Sequence, residues 1–301
     1  HSNVAVGTNA LIANTEGLYN VAVGRLALDA NTTASYNIAV GYTALGLNTT
    51  GTQNVAVGGL ALDANTTASY NTAVGYATLT ANTTGASNVA MGRNALLANT
   101  VGYSNVAIGV LSLAANTDGF DNTAVGRDAG GAVTTGDNNS FLGHDAGITG
   151  SPGGAITTAD NQMCLGDENI ANAHIQVDWT VASDKRDKTE VTPLVMGLDF
   201  INKLEPVTYR WDKRSKYSKD QDVTPDGTHK EAQLDVGFLA QDVEELEKEY
   251  GFNFEDKTNL TTNISDDEKM YGLKYSKFVP ALVKAVQELT AKVKELEGKL
   301  V

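Results

Sequence analysis

The feature that most constrains this chain is a motif that recurs every 17 residues through its first half. Each copy reads Asn-x-Ala-x-Gly with an aliphatic residue before the glycine, and alanine is replaced only in the ninth copy, by Phe141. A fixed period of this length is typical of repeat architectures, whose units bury their apolar faces by stacking on one another. The motif glycines are Gly7, Gly24, Gly41, Gly58, Gly75, Gly92, Gly109, Gly126 and Gly143.

Each unit is predicted to be a short strand, a short apolar segment and a turn. The alternation within the motif places small residues on one face of a strand. A leucine stands four residues after each of the first seven glycines, and Asn-Thr turn sequences follow it. Pairs of helices do not fit into 17 residues. The repeats therefore predict a parallel β-solenoid or β-roll, in which nine coils would rise about 43 Å at roughly 4.8 Å per strand.

The repeated asparagines admit two interpretations. Stacked identical side chains can form hydrogen-bonded ladders along the solenoid, which we favour. The alternative is glycosylation, because four of them begin Asn-Thr-Thr sequons, although the repetition of the pattern explains these sequons without a glycan. The sequon asparagines are Asn31, Asn48, Asn65 and Asn82.

Exposed tyrosines also admit two interpretations. They could stack on the sugars of a host surface, or they could simply cap the turns of the solenoid. The tyrosines concerned are Tyr36, Tyr42, Tyr70 and Tyr76.

Composition divides the chain near its middle. Residues 1–182 hold no lysine and only the arginines Arg25, Arg93 and Arg127, whereas every lysine follows Ser183. We therefore expect two different folds in one chain. The predicted segments are the repeat solenoid at 1–148, a neck at 149–182, a small α+β domain at 183–274 and a coiled-coil helix at 275–301.

The predicted neck combines a Gly/Pro-rich stretch, Gly147–Gly154, with a more apolar segment that ends the repeats. It also contains a degenerate tenth copy that ends at Gly166, in which Cys164 stands at the alanine position. The apolar segment holds His174, Ile175, Val177 and Trp179.

Charge and composition exclude several classes of function. A net charge of −14 argues against nucleic acid or an anionic membrane as partner, because phosphate binding needs a basic footprint. A single cysteine excludes an intrachain disulfide. No apolar run approaches the roughly 18 residues that span a bilayer, and we expect neither a membrane span nor a signal peptide. The chain opens in mid-pattern, so we expect it to be the distal piece of a longer protein.

No metal or other cofactor is expected. The four histidines, His1, His144, His174 and His229, do not show the spacing of a metal site. Three aspartates weakly resemble a calcium loop, but the third carboxylate is misplaced, and a solvated loop is the favoured interpretation. These aspartates are Asp220, Asp222 and Asp226.

The second half is predicted to be mixed α and β, and it ends in a heptad. Helices are expected at 195–204 and 242–250, and strands at 207–211 and 236–239. Valine at a and leucine at d nominally favour a two-stranded coiled coil, and an amphipathic helix packed on its own domain is the alternative. The heptad residues are Tyr275, Val279, Leu282, Val286, Leu289, Val293, Leu296 and Leu300.

Four stretches in the second half carry a family resemblance. They are Ser183–Lys188, Leu204–Trp211, Gly237–Val243 and Tyr275–Leu289. From Ser183 onward the chain resembles the endosialidase-type intramolecular chaperone, found at the C-termini of phage tail fibres and tailspikes and in the myelin regulatory factor. The repeats are similar to head repeats of trimeric autotransporter adhesins, whose unit is usually shorter. Both resemblances imply a homotrimer.

The chaperone resemblance also implies self-cleavage between Ala182 and Ser183. Ser183 would be the nucleophile and Lys188 the general base, which requires that burial or neighbouring cations such as Lys185 and Arg186 favour the neutral amine. Residues five apart point about 140° apart on a helix and to opposite sides on a strand. The segment is therefore expected to turn.

Together with the repeats, the chaperone resemblance implies that the chain is the C-terminal part of a phage tail fibre or spike, located in the virion. Its partners would be two further copies of itself and a host receptor, either a glycan or an outer-membrane component. One alternative is a bacterial surface adhesin of the same architecture. Another is a polysaccharide-degrading tailspike, which the repeats disfavour because they hold no non-periodic pair of carboxylates.

Overall fold

The computed structural model describes residues 2–151, 153–170, 172–176, 179–218, 222–265 and 268–300. It divides the chain into two compact units, His1–Ala171 and Asn172–Val301, which we describe separately. His1, Val177 and Asp220, which entered the sequence predictions, lie outside the described residues.

The first unit is a parallel β-solenoid, as the period predicted. Ten strands of three residues form one sheet in chain order, so that each coil contributes one strand. They are β1 Val4–Val6, β2 Val21–Val23, β3 Ile38–Val40, β4 Val55–Val57, β5 Thr72–Val74, β6 Val89–Met91, β7 Val106–Ile108, β8 Thr123–Val125, β9 Ser140–Leu142 and β10 Met163–Leu165.

Paired residues in neighbouring strands are one repeat apart in sequence, except in the last pair of strands. Ala5 stands beside Ala22, and the same offset of 17 continues through β9. In the last pair Cys164 stands beside Phe141, an offset of 23, so six extra residues (23 − 17) are accommodated before β10. Cys164 is buried in the alanine column, as predicted for the tenth copy.

The small residues of the motif are required by the closeness of neighbouring coils. The alanine in the middle of β2 to β8 is fully buried, and the buried leucines of the apolar segment pack beside it. Gly58 has φ +142°, and a Cβ there would lie 2.2 Å from the carbonyl oxygen of Gly75 in the next coil. Glycine is therefore needed both for its backbone conformation and for the space it leaves.

Two asparagine ladders run along the solenoid, which confirms the structural interpretation. In the motif ladder the side-chain oxygen of Asn20 accepts from the backbone N–H of Asn37 at 2.9 Å. In the turn ladder Asn31 donates to the side-chain oxygen of Asn14 at 2.8 Å and to the carbonyl of Ala34, three residues on, at 3.0 Å. All four sequon asparagines are fully buried, so their amides are not available for a glycan.

Many of the left-handed backbone positions in the coils are occupied by residues that disfavour this conformation. The turn asparagines close their turns through side-chain bonds, but they do not have positive φ. Leucines and other non-glycine residues take the left-handed conformation instead, for example Leu28 and Leu45 with φ of 50° and 52°. These leucines are fully buried, and burial together with the coil-to-coil bonds offsets the local cost of that conformation.

The second unit is a small α+β fold with a long C-terminal helix. Its helices are α1 Leu198–Lys203, α2 Ala240–Glu249 and α3 Phe278–Lys299. Two antiparallel pairs join β11 Val207–Tyr209 to β12 Asp235–Gly237, and β13 Thr262–Ile264 to β14 Tyr271–Leu273. The three helices and the strands β11 and β12 were predicted from the sequence, whereas the strands β13 and β14 were not.

The core of the second unit forms between the three helices. Met196, Phe200, Val243, Leu246, Phe278 and Ala281 are buried in one cluster. The fully buried carboxylate of Glu247 on α2 accepts hydrogen bonds from the backbone N–H and hydroxyl groups of Thr261 and Thr262, which fixes the start of β13. A buried carboxylate is tolerated here because its oxygens are satisfied.

Helix α3 has two distinct apolar faces. Phe278, Ala281 and Ala285 are buried and pack towards α1. Glu288 reinforces this contact, since its carboxylate accepts from the backbone N–H of Leu198 at 2.7 Å. The heptad residues lie on another face, where Leu282, Val286 and Leu289 are 47%, 62% and 50% exposed. The helix therefore packs on its own domain and still leaves the heptad seam uncovered.

Removing one rung of the motif ladder should destabilise the solenoid. The Asn71 side chain accepts from the backbone N–H of Asn88 and donates to the carbonyl of Gly85. We expect Asn71→Ala to cost about 2–3 kcal/mol per chain, because it leaves a buried N–H without its acceptor. Denaturant unfolding measures this cost against Thr84→Ala, an exposed turn residue, which should change stability little. Equal stability of the two variants would show that the ladder contributes nothing.

Candidate functional site

The start of the lysine-bearing half is a tight turn held by Asp184. A 3-10 helix spans Lys185–Asp187, and the Asp184 side chain caps it by accepting from the backbone N–H of Arg186 at 2.9 Å. The Arg186 guanidinium also pairs with the same carboxylate, with its closest nitrogen at 2.6 Å. The backbone N–H of Lys188 then donates to the carbonyl of Lys185 at 3.3 Å. The segment therefore folds back on itself, as the five-residue spacing required.

This turn brings Ser183 and Lys188 together. The Lys188 Nζ lies 2.6 Å from the Ser183 Oγ and 3.4 Å from the Ser183 carbonyl oxygen. A heavy-atom distance of about 2.6–3.2 Å is the range in which a general base removes a proton. The pair therefore has the geometry of a nucleophile with its base.

The site is exposed in the single chain. Ala182, Ser183 and Lys188 are all exposed, and so are the residues of the turn between them. The peptide bond between Ala182 and Ser183 adjoins the Ser183 hydroxyl, so no further movement of the chain is needed to bring these groups close. One chain alone, however, does not enclose the reacting atoms.

The electrostatics of the turn differ from the sequence expectation in one respect. Arg186 was expected to act as a cation beside Lys188, but its guanidinium is engaged by Asp184. The hydrogen bonds from Arg186 hold the pKa of the Asp184 carboxyl below its usual value. Asp184 is therefore charged over a wider pH range than a free aspartate, and Arg186 serves the turn rather than the amine of Lys188.

A second cluster of titratable groups lies at the last coils of the solenoid. His144 contacts Asp145 through Nε2 and Asp167 through Nδ1, both at 3.3 Å, and the Arg127 guanidinium contacts His144 and Asp145. Partial burial raises the pKa of Asp145, despite His144 and Arg127. For Asp167, burial is outweighed by hydrogen bonds from Asn169 and His144, which lower its pKa.

These groups form an ion-pair network around Arg127. Their ligand atoms are close enough to hold a metal ion, but a guanidinium already contacts the group. The sequence did not reveal the cluster, because Asp167 follows His144 by 23 residues across the insertion before β10.

The remaining predicted site residues have local roles. Asp222 accepts from Ser218, and Asp226 accepts from Tyr217 and Thr228 within the same loop. Among the tyrosines, Tyr36 and Tyr70 precede the motif asparagine, whereas Tyr42 and Tyr76 follow the motif glycine. The side chains of all four tyrosines are between 50% and 59% exposed.

Comparison with known proteins finds one family match, within the second unit. Residues 183–252 match the family model described as chaperone of endosialidase. The match begins at Ser183, the residue that contacts Lys188, and the repeats and α3 lie outside it. Comparisons with curated proteins and with solved structures give no match.

The matched domain points to an intramolecular trimerisation chaperone of the phage tail fibre or tailspike type. The β-solenoid that precedes it is consistent with this assignment. Within the described ranges, the helices are all too short or too polar to cross a bilayer.

The Asp184–Arg186 pair should be visible in a pH titration. Because the pKa of Asp184 is lowered in the folded turn, the pair should persist as pH falls through the usual aspartate value of about 4 and be lost only below it. Carbon-13 NMR of the carboxyl should show a midpoint that rises in Arg186→Gln. Lys185→Gln is the control, and an equal midpoint in both variants would contradict the pairing.

Proposed function

We propose that this chain is the C-terminal part of a phage tail fibre or spike, whose residues 183–301 assemble the trimer and then separate by self-cleavage between Ala182 and Ser183. The observation that carries the proposal is the 2.6 Å contact of Ser183 with Lys188 at the first residue of the matched chaperone domain. The repeats would serve host attachment, through a glycan or an outer-membrane component. The assembled fibre would belong to the virion.

The exposed heptad seam supports trimer formation. Its valines and leucines lie on a face of α3 that the second unit does not cover, and they repeat in steps of four and three. A seam of this kind is stable when it packs against the same seam of other copies. Valine at a and leucine at d nominally favour two strands, but the matched chaperone domain implies three.

The outer face of the solenoid sheet supports association of the repeats. In β2 to β10 the middle side chain is buried in the coil, and the residue that follows it is aliphatic in all ten strands. Val6, Val57, Ile108 and Leu142 are between 37% and 58% exposed. A contiguous column of aliphatic residues at the last position of ten strands is typical of an interface. Two further copies of the chain are its proposed occupants.

A repetitive interface has a problem of register. If one chain slips by a single 17-residue unit, nearly the same contacts form again, and only those of the end coils are lost. A non-repetitive domain removes this degeneracy, because its own contacts form in one alignment only. The repeats can then propagate from the aligned end, as solenoids do once a nucleus exists.

The proposed cleavage is a two-step acyl transfer. The neutral amine of Lys188 accepts the Ser183 hydroxyl proton while Oγ attacks the Ala182 carbonyl carbon through a five-membered ring. The bond from Ala182 to the Ser183 nitrogen breaks, the nitrogen takes the proton from Lys188, and an ester forms on Ser183 Oγ. Water then hydrolyses this ester, which leaves a carboxylate on Ala182 and a free amine on Ser183.

Assembly would control when this reaction occurs. The site is exposed in one chain, and a protonated lysine cannot act as a base. Association of three chains that buries the turn would favour the neutral amine and exclude bulk water from the first step. Cleavage would then follow correct assembly, and the released fibre would be kinetically trapped because its alignment domain is gone.

The cleavage is tested by mass spectrometry of the incubated, folded protein. We expect fragments 1–182 and 183–301 in the wild type and none in Ser183→Ala. Lys188→Ala should slow the reaction at least about 100-fold, because general base catalysis contributes this much. Lys185→Ala is the matched control and should cleave normally. Hydroxylamine should capture the ester as a hydroxamate on Ala182, and an intact wild-type mass after prolonged incubation would refute the proposal.

The role of the seam is tested by placing a carboxylate on it. Leu289→Asp should weaken the trimer strongly, because each chain loses about 2 kcal/mol of leucine burial and gains a charge in the interface. Gln287→Asp places the same charge on an exposed position of α3 outside the heptad seam and should leave the trimer intact. Sedimentation over a range of concentrations measures the assembly of both variants in the Ser183→Ala background. A wild-type trimer in Leu289→Asp would exclude the seam as an interface.

A further inference from the structure

The position after the motif glycine forms an exposed column along the solenoid. Five consecutive coils place Arg25, Tyr42, Gly59, Tyr76 and Arg93 there, which we call the Arg-Tyr column. The backbone carbonyl of each of these residues accepts a hydrogen bond from the next coil, at 2.9–3.1 Å. The four side chains of the column are exposed. The coil-to-coil bonds therefore hold them at a fixed spacing.

All the arginines of the first 182 residues stand at this one position of the repeat. The position has no structural need for a cation, because Thr8, Gly59 and Val110 occupy it in other coils. The third arginine, Arg127, pairs with Asp128 at 2.8 Å and contacts His144 and Asp145. Arg25 and Arg93 differ from it, since no ion pair with either is found among the described residues. Their charge is available to a ligand.

The column has a symmetric order, Arg-Tyr-Gly-Tyr-Arg, centred on Gly59. A Cβ at Gly59 would lie 3.7 Å from the ring of Tyr76, so that this ring extends over the glycine. The guanidinium of Arg25 lies 5.6 Å from the ring centre of Tyr42. At roughly 4.8 Å per coil, the two tyrosines are about 10 Å apart along the sheet and the two arginines about 19 Å.

These groups suit a linear acidic ligand. Guanidinium groups bind carboxylates through paired hydrogen bonds, and tyrosine offers an apolar ring face with a polar hydroxyl at its edge. A chain of sugar rings that carries carboxylates can use both along a straight column. Double-stranded DNA is disfavoured, because it carries one charge per about 1.7 Å and needs many cations along its length, whereas the column offers two arginines.

We propose that the Arg-Tyr column binds a carboxylate-bearing polysaccharide that lies along the solenoid across Arg25, Tyr42, Tyr76 and Arg93. The proposal rests on the part of the proposed function that assigns the repeats to host attachment, and it names the chemical class of the receptor. The tyrosines Tyr36 and Tyr70 are not part of the site, because their column in the preceding turn holds no cation.

Calorimetric titration of the full chain with polygalacturonate tests this site at low and moderate salt. We expect Arg25→Gln and Arg93→Gln each to weaken binding about tenfold or more, and the wild-type affinity to fall with added salt. Arg127→Gln removes the same charge from an arginine that is already paired and should change binding little. Tyr42→Ala should weaken binding, whereas Tyr70→Ala, the matched exposed tyrosine, should not. Dextran, a neutral polysaccharide, should not bind.

Several outcomes would overturn the proposal. If Arg127→Gln and Arg25→Gln lost the same amount of affinity, binding would depend only on the net charge of the protein. If double-stranded DNA bound equally strongly, binding would be non-specific electrostatic attraction. Loss of the trimer in the arginine variants would place the column in a subunit interface.

The same samples separate this proposal from the proposed function. A trimer that cleaves normally but does not bind polygalacturonate overturns only the glycan site. Column-dependent binding by a chain that neither trimerises nor cleaves supports the site and refutes the assembly mechanism.

Discussion

The structure depends on hydrogen bonds between each coil and the coils on either side of it. Strand pairing and both asparagine ladders join residues 17 apart, so a single coil by itself would keep only the hydrogen bonds of its own turns. This explains the strictness of the motif. Alanine fills the narrow interior, glycine allows the next coil to approach, and asparagine satisfies backbone groups that would otherwise be buried without partners.

The same regularity creates the need for the second half of the chain. A stack of nearly identical coils does not distinguish one alignment of three chains from another, and an irregular domain does. Helix α3 is well suited to this task, because it packs on α1 through Phe278, Ala281 and Ala285 while its heptad residues remain about half exposed or more. Contacts within one chain fix the helix, and contacts between chains remain available for assembly.

The Ser183–Lys188 contact shows how a short local turn can bring a hydroxyl and an amine together. Asp184 performs two tasks there, since it caps the 3-10 helix and binds the guanidinium of Arg186. The contact between Ser183 and Lys188 is therefore formed within six consecutive residues, Ser183–Lys188, and does not depend on the rest of the fold. What the single chain lacks is enclosure, which is the element that association of chains can supply.

Much of the architecture was predictable because its signals are periodic. The spacing of the repeats predicted one coil per repeat, the parallel sheet, the inward alanines and the asparagine ladders. The spacing of valine and leucine likewise predicted the heptad. The pair β13–β14 was missed because its strands are only three residues long and largely polar, so they give no alternating pattern. The left-handed leucines were missed because propensity favours asparagine at such positions, while burial in the coil decided otherwise.

The candidate site divides in the same way. The sequence determined by itself that Ser183 and Lys188 require a turn, since neither a helix nor a strand could join residues five apart. Only the tertiary structure showed that Arg186 pairs with Asp184 and that His144 contacts Asp167 across an insertion. It also showed that α3 buries one set of apolar residues and leaves its heptad residues exposed. Periodic contacts can be read along the chain, whereas contacts between segments of irregular spacing depend on the path of the backbone in space.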